Sequence, residues 1–91
     1  MKLSELLKTK DQWCQHKLAV NDLGNEVDSL DTDAVKWCLM GAIEKCFSER
    51  KKVYKTIVSL IKPFTCVSDF NDESTFKDVK KVIKEFEQKE N

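Results

Sequence analysis

Any chemistry this chain performs would start at Trp13-Cys14-Gln15-His16. A cysteine becomes a nucleophile when a nearby base favours its thiolate, and His16 is the one imidazole in the sequence. In an extended segment residues 14 and 16 point to the same side, so a Cys14–His16 dyad would make this a thiol-dependent enzyme. Against that reading, no group is identifiable that would orient the base, and no glycine-rich loop could hold an oxyanion. A packing Trp13 and a surface His16 explain the tetrapeptide with less, and no catalytic residue is assigned.

The four cysteines, Cys14, Cys38, Cys46 and Cys66, raise two further options. Structural zinc wants close ligand pairs, because a short knuckle presents two sulfurs to one tetrahedral ion. The only close pair is Cys14-Gln15-His16, whose one-residue gap is unusual, and Cys38 and Cys46 sit too far apart along one helix. No metal and no cofactor is expected. A disulfide framework suits an exported chain. Here Met1-Lys2-Leu3-Ser4-Glu5 carries an acid where a signal peptide needs an apolar run, so the expectation is a cytoplasmic protein with free thiols.

Three other stretches invite a functional reading. Trp37-Cys38-x-x-Gly41 has the look of a cofactor box, but apolar residues on two faces of a helix are better explained by packing. Phe70-Asn71-Asp72 is expected in a loop ahead of a helix, where Asn and Asp hold turns and an aromatic could anchor a partner. Arg50, Lys51, Lys52 and Lys55 gather at the start of a helix, where cations oppose the macrodipole. Residues 32–62 hold seven basic and three acidic side chains, so this is the one charge asymmetry along the chain. The candidate partner-binding residues are therefore Arg50, Lys51, Lys52, Lys55, Phe70, Asn71 and Asp72.

Composition narrows the classes. The chain has 91 residues, a single-domain length, with 16 basic and 16 acidic side chains and 41% apolar content. That balance excludes the apolar-poor signature of disorder. It also disfavours a nucleic-acid binder, which normally carries a basic excess to displace phosphate counterions. The longest apolar run, at residues 37–42, is far short of the ~20 residues that span a bilayer, so no membrane partner is expected.

The elements that must position these residues follow from spacing. Leu3, Leu6 and Leu7 predict a first helix within residues 1–10. For the stretch that follows, two readings stand: continuation of that helix through Cys14 and Leu18, or a small hairpin over residues 17–28. The second is preferred, because Ala19-Val20 and Val27 flank the turn-rich Asp22-Leu23-Gly24-Asn25. Asp31 as N-cap with Leu30 stapling onto Val35 predicts a central helix over 32–47, apolar nearly all round. Within it Gly41 costs about 1 kcal/mol relative to alanine, which close approach by another backbone would justify. Val53, Ile57, Leu60 and Ile61 predict a helix over 49–62 ended by Pro63. Thr75 and Asp78 fit a capping box opening a last helix over 75–88, whose apolar stripe is Phe76, Val79, Val82, Ile83 and Phe86. The fold class is mainly α: a single compact domain of about four helices around a buried central helix, with a small β-hairpin near residues 17–28.

Several of these segments together resemble a small bacterial and bacteriophage domain family of unknown function. They are Trp13-x-Gln15, Gly24 followed by Val27, Ala34-x-x-Trp37-Cys38-x-x-Gly41-Ala42, and Asn71-Asp72 before Thr75-x-x-x-Val79. The middle segment is the most specific, and Phe70 stands where the family usually has tryptophan. The resemblance spans roughly residues 3–86 and implies a small domain encoded by a phage or mobile element, with no attached activity. The expected function is stoichiometric protein binding as a regulator, adaptor or inhibitor. A thiol enzyme using Cys14 and His16, or a weak nucleic-acid binder using Arg50–Lys55, is the alternative.

Overall fold

Leu3, Leu6 and Leu7 are all buried, and they fix how the chain begins. A computed structural model describes residues 1–90. Helix α1 covers only Leu3–Leu6 rather than all of residues 1–10. The chain leaves it into a 3₁₀ turn, Lys10–Gln12, capped by Thr9, whose backbone N–H donates to Gln12 Oε1 at 2.8 Å. Strands β1, Ala19–Val20, and β2, Lys36–Trp37, pair antiparallel with Ala19 opposite Trp37. Four helices follow: α2, Leu39–Cys46; α3, Arg50–Leu60; α4, Val67–Glu73; and α5, Phe76–Glu90.

The fold is mainly α and forms a single domain with a small antiparallel pair, as the patterning predicts, with five helices rather than four. The radius of gyration, 12.0 Å, is what a close-packed chain of this length gives. Helix α2 is the centre, contacting α1, α3 and α4. Leu3, Leu7, Leu39, Ile43, Ile57, Ile83 and Phe86 meet in one core. The predicted capping box of α5 forms, with Thr75 and Asp78 each donating a backbone N–H to the other's side chain at 3.3 Å.

Three expectations are corrected. First, the central helix begins at Leu39, seven residues later than predicted. Asp31 does act as a local acceptor, taking the Asp33 N–H at 2.8 Å, but only in an Asx-turn. Beyond it, Val35 and Trp37 suit extended backbone. Val35 N–H donates to Val20 O at 2.8 Å, and Cys38 N–H to Leu18 O at 3.1 Å. Leu30 is exposed and staples nothing. Second, the turn at residues 21–25 forms, with Gly24 at φ +82° and a single Val20–Glu26 bridge, but the paired strand lies at 36–37. Third, residues 67–73 are helix α4, not loop. Val67, Phe70 and Asn71 recur at helical spacing and face inward.

Gly41 behaves as its cost demands. A β-carbon there would lie 2.1 Å from the Leu18 carbonyl oxygen, so only glycine lets α2 pass the chain entering β1.

Candidate functional site

Asn71 is fully buried, and its side chain ties α4 to the Trp13–Cys14 link and to the start of α2. Its Oδ1 accepts the Trp13 indole N–H at 2.6 Å and the Leu39 backbone N–H at 2.9 Å. The second bond satisfies an orphan donor at the start of α2, so Asn71 caps that helix from a distant segment. Its Nδ2 donates to Cys14 O and to Asp72 Oδ1, both at 3.1 Å. Every polar atom of this amide is used.

Gln15 plays the matching part at the C-terminal end of α4. Its Nε2 lies 3.1, 3.1 and 3.0 Å from the carbonyl oxygens of Asn71, Asp72 and Ser74, covering acceptors that the last turn leaves open. Asp72 Oδ1 accepts His16 N–H at 2.8 Å, while His16 adopts φ 69°. That left-handed conformation turns the imidazole outward: its side chain is 74% exposed, with Nδ1 3.6 Å from Asp72 Oδ2.

This geometry separates the two members of the thiol dyad. The Cys14 thiol donates to Lys17 O at 3.4 Å, and among the described residues no hydrogen bond joins it to His16. Burial, reinforced by Cys38 nearby, pushes the Cys14 pKa up to about 11, although Lys36 and Lys17 pull the other way. The neutral thiol therefore dominates at physiological pH, the opposite of what a nucleophile needs. Cys38 and Cys46 are likewise raised by burial. Cys38 accepts the Gly41 N–H on its sulfur at 3.3 Å, serving as N-cap of α2. Cys66 differs: the Asp69 and Ser68 N–H groups at the start of α4 lower its pKa. All four cysteines are free thiols.

The residues assigned to partner binding scatter. Phe70 is 7% exposed and packs edge-on against Phe64 with ring centroids 5.7 Å apart, so it is a core residue and no interface anchor. Asn71 is consumed in the network just described, and Asp72 is half-buried within it. Arg50 has a structural duty: Nε donates to Phe47 O at 3.1 Å and Nη2 to Glu44 O at 3.0 Å. A cation on the last carbonyls of α2 complements that helix's dipole, which outweighs the mild penalty at the start of α3. Lys51, Lys52 and Lys55 remain exposed on α3. Trp37 is buried as expected, its indole donating to Ser29 O at 3.0 Å.

What reading the sequence missed is an exposed apolar segment. Leu18, Leu23, Leu30 and Val35 are 37, 80, 53 and 41% exposed. All lie on the irregular stretch around β1 and before β2, among the carboxylates of Asp22, Glu26, Asp28, Asp31 and Asp33. The expected helix over 32–47, with Leu30 stapled onto Val35, leaves no place for their exposure. Comparison with known protein families, curated proteins and solved structures returned no match.

Proposed function

We propose that this chain is a stoichiometric protein-binding module that acts through the segment running from Leu18 to Val35. The carrying observation is the run of four exposed large apolar side chains on one acidic stretch, in a domain whose other apolar side chains largely pack inward. Side chains within this stretch brace its turns. Asn21 Oδ1 accepts the Leu23 and Asn25 N–H groups at 3.0 and 2.9 Å, and Asp28 Oδ1 accepts the Leu30 N–H at 2.9 Å. A preorganised apolar surface loses little entropy on binding. Five carboxylates and no basic residue between positions 21 and 34 select a partner whose apolar patch is rimmed by Lys or Arg.

A binding role without turnover fits the raised Cys14 pKa and the absence, among the described residues, of a hydrogen bond from Cys14 to His16. It replaces Phe70–Asp72 as the contact and keeps Lys51, Lys52 and Lys55 as a secondary charged face. The resemblance to the bacterial and bacteriophage domain belongs to the same proposal, because Trp13, Gln15, Trp37, Gly41 and Asn71 each have a structural task that would preserve such motifs.

Affinity capture with quantitative mass spectrometry tests it. The expected result is one dominant protein at equimolar ratio, lost in a Leu23→Ser/Leu30→Ser variant that melts like the wild type and weakened only modestly by Lys51→Glu. No stoichiometric partner, or capture indifferent to the leucine changes, would overturn the proposal.

A further inference from the structure

We infer that the cleft beside the two strands binds a small organic anion, one acidic group carried on an apolar body. The cleft encloses about 580 Å³, within the size range of small-molecule sites. Three separate stretches build it: the 3₁₀ turn with Lys10, the link carrying Trp13, Cys14 and Lys17, and the strand ends with Val20 and Lys36. Trp13 and Val20 are nearly buried and supply an apolar lining. Lys10, Lys17 and Lys36 supply three ammonium groups, against the carboxylates of Asp11 and Asp22.

No carboxylate among the described residues pairs with these lysines, and Lys17 Nζ donates to the Gly24 carbonyl on the cleft wall at 3.4 Å. Among the described residues the one contact between a basic and an acidic side chain is His16–Asp72, at 3.6 Å, and neither residue lines this cleft. Lys17, three residues after Cys14, and Lys36, at the start of β2, both line the cleft, so two cationic side chains border one cavity. An anion seated there would meet both while its body covers Trp13 and Val20. A polyanion fits less well: Asp11 and Asp22 would repel its further charges, and the molecule carries no net positive charge to attract it. Val20, Asn21, Asp22, Gly24 and Val35 of the proposed partner segment line the cleft but Leu23 and Leu30 do not, so the leucine changes that test partner binding leave the cleft lining intact and the two tests stay distinguishable.

The test is a ¹H–¹⁵N NMR titration of the full chain with phenyl phosphate, with inorganic phosphate and benzyl alcohol as the charged and apolar halves. Phenyl phosphate should give saturable shifts at the Trp13 indole and the Cys14, Asn21 and Lys36 amides, with Kd on the order of 1 mM for so small a probe. Each half alone should bind more weakly. Lys17→Gln/Lys36→Gln should weaken binding about tenfold, the loss of two solvent-exposed charge contacts, while Lys51→Gln leaves it unchanged. Absence of saturable shifts at these residues, equal binding by inorganic phosphate, or full binding by the double variant would overturn the inference.

Discussion

The cysteines show how position decides what one residue type can do. The Cys14 thiol, pushed up to about 11 from 9.0 by burial first and by Cys38 second, should carry about 100-fold less thiolate below pH 9 than an unperturbed thiol. Cys66, lowered by backbone N–H groups, should react first. Peptide-level iodoacetamide labelling at pH 8 checks this ranking, and fast modification of Cys14 would contradict it. The same shift sets a pH dependence. A thiol whose folded pKa is raised binds more protons folded than unfolded between the two values. Stability then falls as pH rises from about 9 through 11. Urea midpoints measured across that window should drop, and a Cys14→Ser variant should drop less. Of these features the sequence disclosed only that Cys14 and His16 are close in the chain; the positive φ at His16 that parts them depends on Asp72, a residue 56 positions away.

At the scale of elements, local signals were legible where periodicity and burial agree. Helices α3 and α5 fall within two residues of their expected bounds, because Val53-Ile57-Ile61 and Val79-Val82-Ile83-Phe86 form one-sided apolar stripes. The start of α2 was not legible. Asp31, Asp33 and Ala34 read as a helix entry, yet residues 35–38 are claimed by bonds to Leu18, Val20 and Cys14, none of which a local window contains. Helix α4 was hidden for the same reason: Ser68, Asp69, Asn71 and Asp72 are poor helix formers, and Gln15 and Trp13 hold its last turn from afar through Asn71 and Asp72. Gly41→Ala tests this level. The new methyl meets the Leu18 carbonyl, a cost of about 3 kcal/mol by overpacking that outweighs roughly 1 kcal/mol of helix propensity gained. Urea unfolding should register a net loss, and a stabilised variant would show that the approach is looser than described. Arg50→Ala should cost less, about 0.5 kcal/mol, since it removes an exposed cation from the last carbonyls of α2.

For the whole molecule, the account is a division of labour. Trp13, Gln15 and Asn71 use their polar heads to join α2 and α4 to the chain ahead of β1, and Cys38 uses its sulfur to cap α2. Apolar residues left outside lie on the segment offered to a partner. The central claim is that Asn71 is a structural hub rather than a recognition residue. Equilibrium urea unfolding of Asn71→Ala tests it most directly, with Asn71→Asp as the isosteric companion. The alanine change strands the Trp13 indole, the Leu39 N–H and the Cys14 carbonyl, so a loss of about 3 kcal/mol is expected. The aspartate should also lose stability, because it cannot donate to Cys14 and sets a second carboxylate beside Asp72. If both variants unfold within about 0.5 kcal/mol of the wild type, the range of an ordinary surface change, the claim is contradicted.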